Sequence, residues 1–177
     1  MLSYIHFGFL FIFPVVVIAY ILMMTLKSEV TKRYLYNGLM TIYVLLLSYF
    51  IWFQGLGDVS DQLAINLEPF ETIKLYIRAY QANTLSLSII AVNLLGNVVL
   101  MFPIGFWLYY KRYGVVRIIL YALFIPVLFE GGQFLLHQLH AVSRSVDIDD
   151  WILNALGILI GYFISYLHTQ ITTRRKI

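Results

Sequence analysis

The groups able to do chemistry in this chain are carboxylates and amides set inside apolar sequence. Glu130 lies in VVRIILYALFIPVLFEGGQFLLHQL, a stretch long and apolar enough to cross a bilayer. A carboxylate at that depth costs a few kcal/mol unless it is paired or faces a polar cavity, so it marks a functional position. Asn93 and Asn97 occupy a second apolar stretch, and Asp147, Asp150 and Asn154 open a third. Two chemistries are open to such a set. As hydrogen-bonding groups, the carboxylates, amides and Arg144 suit sugar hydroxyls, and Arg144 also suits phosphate or carboxylate. As an acid–base pair, Glu130 would work with Asp147 or Asp150 if burial separates their proton affinities. The same oxygens suit a hard divalent cation, Mg²⁺ or Ca²⁺, although their spacing matches no specific metal motif. No other cofactor is evident.

Helical phase decides whether these groups can meet. Residues three, four or seven apart share a helix face. Asp147, Asp150, Asn154, Gly157 and Gly161 therefore form one stripe, whereas Asp149 points elsewhere and reads as a helix cap or a solvated group. The glycines give a small-xxx-small surface that lets a neighbouring helix come close. Glu130, Gln133 and His137 share a face, as do Asn93, Gly96 and Asn97. Each group also has a plainer reading, as interhelical hydrogen bonds or interface residues. Pro103 and Pro126 read as bends repaired locally. Glu130 resists the plain reading most, because it needs a partner either way.

The elements that must position these residues are membrane helices. Of 177 residues, 61% are hydrophobic and 12% charged, with mean hydropathy +0.83, which no soluble domain of this size would show. Runs of about 20 apolar residues predict an all-α bundle of about five spans. They run from Tyr4 to Leu26, Tyr34 to Gln54, Leu85 to Tyr110, Val115 to Gln138 and Ile148 to Gln170. The first lacks a basic n-region and is expected to be a retained helix, not a cleaved signal. The whole of 1–177 reads as one membrane domain. The chain has no Cys, which removes disulfides and thiolate chemistry, and no HExxH, GxSxG or P-loop. Its net charge of +3 is scattered, so no nucleic-acid footprint exists.

Charge orients the bundle. Lys27, Lys32 and Arg33 lie between the first two spans, Lys111, Arg112 and Arg117 surround the turn from the third span to the fourth, and Arg174, Arg175 and Lys176 end the chain. Five spans place these on one side, which the positive-inside rule makes cytoplasmic, with the N-terminus outside. The third and fifth spans then start outside and carry their polar groups early, while the antiparallel fourth carries Glu130 and Gln133 late. One polar pocket opening to the extracytoplasmic side or outer leaflet is the expected result. Between the second and third spans, NLEPFETIKLYIRAY predicts a short amphipathic helix on that surface. Pro69 suits its first turn, Glu71 meets Lys74 or Leu75, and Phe70, Ile73, Ile77 and Tyr80 form its apolar stripe.

The order of four motifs resembles the VanZ-like family, named for the accessory teicoplanin-resistance protein of glycopeptide-resistance clusters. They are NLEPFETI at Asn66 to Ile73, NLLGNVVLMFPIGF at Asn93 to Phe106, EGGQ at Glu130 to Gln133 and RSVDIDDWILNALGILIGY at Arg144 to Tyr162. They fall within 55–170; residues 1–54 are less characteristic. The resemblance implies a bacterial multi-pass membrane protein of the cell envelope and, in some members, reduced sensitivity to teicoplanin. It also carries over Asn93, Asn97, Glu130, Gln133, Arg144, Asp147, Asp150 and Asn154 as the family's recurrent polar positions. The first expectation is therefore an outer-leaflet pocket that binds a membrane lipid, a lipid-linked precursor or a glycopeptide. The alternative is an intramembrane enzyme modifying an envelope lipid or glycan, with Glu130, Asp147 and Asp150 as acid–base or metal-binding groups.

Overall fold

A computed structural model describes residues 29–53, 65–140 and 145–174. They form α1 (Glu29–Phe53), β1 (Ile65–Asn66), α2 (Glu71–Gln81), α3 (Leu87–Tyr110), α4 (Val115–Gln138), β2 (Val146–Asp147) and α5 (Ile148–Arg174). Among the described residues four helices, α1, α3, α4 and α5, are long and apolar enough to span a membrane. The chain is a multi-pass helical membrane protein. The expected span from Tyr4 to Leu26 lies outside the described residues. The short helix predicted before the third span is present as α2.

The chain separates into two compact units, 1–54 and 55–177. In the first, Met40, Tyr43 and Leu47 are buried on α1 at the three- and four-residue spacing of a single helix face.

In the second unit, α5 packs against both α3 and α4, and more extensively against α3. The helices α3 and α5 run parallel. A methyl group added at Gly157 would fall 2.2 Å from the Val98 carbonyl oxygen, at Gly161 2.2 Å from that of Phe102, and at Gly105 2.1 Å from that of Ile158. The stripe of small residues read from the sequence is thus a backbone-to-backbone seam, with Gly105 completing it from the opposite helix. Met101, Leu108 and Ile158 are fully buried along it.

Helix α4 runs antiparallel to α5. The Trp151 indole Nε1 donates to the Leu123 carbonyl at 3.0 Å, and the Tyr162 hydroxyl reaches the Tyr113 carbonyl at 3.4 Å near the other end. Pro126 cannot donate to the preceding turn and loosens the ladder there. The Trp151 bond supplies a donor to a carbonyl of that turn. The outward faces remain apolar. Leu120, Phe124 and Leu128 on α4, and Ile160 and Phe163 on α5, are exposed, as side chains facing lipid should be.

The two ends of the bundle differ in charge. The end shared by the start of α3, the finish of α4 and the start of α5 carries Asp147, Asp149 and Asp150. The opposite end carries Lys111, Arg112 and Arg117. There Lys111 lies 5.2 Å from the Trp107 ring centre and Arg117 5.7 Å from that of Tyr113, a basic and aromatic girdle suited to a membrane interface.

Candidate polar site at the acidic end

The sequence reading contains no strand, yet a two-stranded parallel ladder pairs Ile65 with Val146 and Asn66 with Asp147. Strands of two residues are too short to leave a periodic signal. Their effect is to bring the segment before α2 against the start of α5. Asn66 Nδ2 then donates to Asp147 Oδ1 at 3.1 Å and to Thr72 Oγ1 at 3.1 Å. The Thr72 hydroxyl donates to Asp147 Oδ2, and the Asp149 N–H donates to Asp147 Oδ1 at 2.9 Å. Asp147 is buried at 8% exposure, and both its oxygens are taken by donors of the chain itself.

Asp149 is a helix cap, as expected, but of another helix than its own. It is not solvated: at 1% exposure it closes the N-terminus of α2. Its Oδ1 accepts the Phe70 N–H at 2.5 Å and its Oδ2 the Ile73 N–H at 3.2 Å. Unpaired amides and the helix dipole make that terminus a natural carboxylate site. Pro69 also shifts, from the first helical turn to the turn before it. The Glu71 N–H donates to the Glu68 carbonyl at 3.3 Å, and Phe70 sits at φ 67°, ψ 8°. This is a type II turn with proline at its second position and a left-handed residue at its third. Glycine normally fills that third position. A phenylalanine there costs about 1–3 kcal/mol and persists only when its surroundings over-determine it. The Asp149 bonds on both sides of the turn do so.

The amides of α3 meet the same cluster. Asn97 Nδ2 donates to Asp150 Oδ1 at 2.5 Å, about 15 Å along the α3 axis from Leu87 at ~1.5 Å per residue. Asn93 hydrogen-bonds the Tyr76 hydroxyl. From α4, Glu130 Oε2 accepts a long contact from the Asp147 N–H at 3.5 Å. Helical phase and depth therefore agree with the structure for Asn93, Asn97, Glu130, Asp147 and Asp150. Gln133 is half-buried one turn further along α4, and Asn154 is buried one turn below Asp150. Arg144 lies outside the described residues. Gly96, expected to share the Asn93 and Asn97 face, has open space where a methyl group would stand. His137 is buried, and its Nδ1 has no hydrogen-bond partner.

Four members of the site were not picked out as such from the sequence: Asn66, Thr72, Tyr76 and Asp149. Asn66 and Thr72 stand inside the motif NLEPFETI, whose polar groups look like ordinary surface residues. Tyr76 is half-buried. That burial, aided by the negative charges of Asp150 and Asp147 and opposed by its bond to Asn93, raises its pKa above the ordinary 10.0. It remains a protonated donor at neutral pH.

A cavity of about 250 Å³ adjoins this cluster. It lies between α2 and the first turns of α3, lined by Ile73, Tyr76, Ile77, Tyr80, Leu87 and Ile90 among others. Tyr76 belongs to both cavity and cluster. The acidic groups themselves form a hydrogen-bonded network, and among the described residues no group of three or more His, Asp or Glu is placed to hold a metal ion.

A multi-pass bundle with a surface helix pinned over a buried acidic cluster is the class of protein that this fold and site define. The family model described as VanZ/LLP1 matches residues 9–169, across both units. The chain belongs to the VanZ/LLP1 family. No curated protein and no solved structure matches it.

Proposed function

We propose that the acidic end faces the extracytoplasmic side and engages an amphiphilic molecule of the cell envelope, either a lipid, a lipid-linked precursor or a glycopeptide, and thereby affects sensitivity to teicoplanin. The carrying observation is convergence: Asn93 and Asn97 from α3, Glu130 from α4, and Asp147 and Asp150 from α5 meet at one level beneath α2. The side is supported by the basic residues of the opposite end, which suit the cytoplasmic face. Asp147 spends both oxygens on internal donors. That favours a role in which Asp147 holds the cluster in place over one in which it relays protons to a substrate.

The test is expression of Glu130→Gln, Asn97→Ala and Arg144→Ala at equal membrane abundance. Teicoplanin sensitivity of the cells and binding of a lipid-linked peptidoglycan precursor to the purified protein are then measured. Loss of both in at least the Glu130 variant is expected. Wild-type values in all three variants overturn the proposal.

A further inference from the structure

We infer that the cavity between α2 and α3 is an acyl-chain site for a phospholipid of the surrounding leaflet, with Tyr76 at the boundary between tail and headgroup. The inference rests on the reading above that this end engages an amphiphile, and it names the lipid class and the place of its tail.

Geometry comes first. The glycine seam sets Gly157 against Val98 and Gly161 against Phe102, so α3 starts about one turn before α5 on the acidic end. The first turn of α3 therefore reaches past the start of α5, and α2 lies beside this end of α3 with a gap between. The walls are apolar on both sides, Ile73, Ile77 and Tyr80 from α2 and Leu87, Ile90 and Leu94 from α3. Ile77, Tyr80 and Leu87 are each more than half exposed, so the gap is continuous with the lipid-facing surface. Its volume of about 250 Å³ is below the roughly 300–1,000 Å³ of sites that enclose a drug-sized ligand. A segment of aliphatic chain fits that volume, a glycopeptide does not, and a sugar would find few hydrogen-bonding partners on these apolar walls.

Charge supplies the second argument. Lys74 and Arg78 follow the lining residues Ile73 and Ile77 by one position, about 100° around the helix, so they flank the rim. Both reach Glu71, at 3.4 and 3.6 Å. Two cations thus share one carboxylate, and their side chains remain 55% and 65% exposed. Of the nearby acids, Asp147 and Asp149 are buried and held by donors of the chain, while Glu68 is exposed in the turn before α2. A phosphate at the rim would accept charge-assisted hydrogen bonds from these two exposed cations. At the inner end Tyr76 presents a hydroxyl bonded to Asn93, where the apolar wall gives way to hydrogen-bonding groups.

The experiment uses the full chain in phosphatidylcholine nanodiscs. These contain a small fraction of either phosphatidylglycerol or phosphate-free diacylglycerol, each with a photoactivatable acyl chain. Adducts are mapped by peptide mass spectrometry. Phosphatidylglycerol adducts are expected to concentrate several-fold on peptides covering 73–94 over those from the lipid-facing surface of α4, with diacylglycerol giving less enrichment. Ile77→Trp and Leu87→Trp, both at exposed positions, are expected to remove the enrichment while α4 labelling persists. Lys74→Gln with Arg78→Gln is expected to bring the two probes to parity. Labelling that follows exposed apolar area alone, or enrichment unchanged by both tryptophan substitutions, overturns the acyl-chain site. Equal enrichment of both probes in the wild type overturns the phosphate assignment. Groove labelling is read on the protein itself, so its failure is distinct from failure of the functional reading, which the Glu130 and Asn97 phenotypes decide.

Discussion

The Asp149 carboxylate holds the backbone N–H of Phe70, 79 positions earlier in the chain, at 2.5 Å. The same side chain also takes the Ile73 N–H at 3.2 Å. A helix of 11 residues with no buried side chain of its own is therefore fixed to the membrane bundle largely through one buried aspartate and the Thr72–Asp147 bond beside it. Short isolated helices are marginal in water, so these attachments decide whether α2 keeps its place.

Asp149→Ala is expected to release the start of α2. It strands the Phe70 and Ile73 amides, at about 1–3 kcal/mol for buried groups left without a partner. Hydrogen exchange followed by mass spectrometry should show faster exchange across 70–81, with protection in α3 and α5 retained. Protection of 70–81 equal to wild type would show that the carboxylate is not what holds the helix. Asp149→Asn should fall between the two, since the amide keeps one acceptor but lacks the charge that complements the helix terminus.

The α3–α5 seam makes a sharper contrast. Gly105→Ala, Gly157→Ala and Gly161→Ala each place a methyl group 2.1–2.2 Å from a backbone carbonyl oxygen of the partner helix. The backbones must separate, at about 1–3 kcal/mol for overpacking. Gly96→Ala and Gly131→Ala meet nothing within 4 Å and gain the helix preference of alanine, up to about 1 kcal/mol. Thermal unfolding in detergent should lower the midpoint for the first set and hold or raise it for the second. Equal effects in both sets would contradict the seam.

Much of this architecture was legible in the sequence because long apolar helices follow simple rules. Length located α1, α3, α4 and α5, and the 3.6-residue period placed Asp150, Gly157 and Gly161 on one face toward α3. Antiparallel depth put Glu130 level with Asp147. What escaped was tertiary and short-range. Asp149 lies off the α5 stripe, and phase alone cannot reveal that an off-stripe carboxylate reaches sideways to another helix. The Asn66–Asp147 pairing depends on strands of two residues, with no period to detect. Pro69 was displaced from helix to turn because Phe70 adopts a left-handed conformation that a phenylalanine rarely takes. Tyr76 looks like one more aromatic on a surface helix until its hydroxyl is seen beside Asn93.

Tyr76 gives a test in pH. Burial and the neighbouring carboxylates raise its pKa above the ordinary 10.0, so the native state holds this proton more tightly than the unfolded chain does. Its contribution to stability is complete below the unfolded value and is lost as pH rises through the native one. Relative to wild type, Tyr76→Phe should therefore lose less stability with rising pH on the alkaline side. The difference in tyrosinate absorbance between the two proteins should show one group ionising above the ordinary tyrosine range. A difference that titrates at the ordinary value would mean that Tyr76 is not packed against the cluster.

The bond from Asn97 to Asp150 links the helices that the glycine seam already joins, so its role can be separated from packing. Asn97→Ala, Asp150→Ala and the double variant form a cycle whose coupling measures the pair alone. A directly bonded pair of this kind is expected to couple by about 0.5–3 kcal/mol in unfolding. Interhelical hydrogen bonds in membranes fall toward the low end, since the separated helices find other partners. The informative quantity is the ratio of that coupling to the functional loss. If the pair only joins helices, teicoplanin sensitivity and precursor binding should follow folded abundance across all three variants. A binding role for the cluster requires Asn97→Ala and Asp150→Ala to lose binding at equal folded abundance. The double variant should then lose little more than either single, because both act on one ligand-facing network.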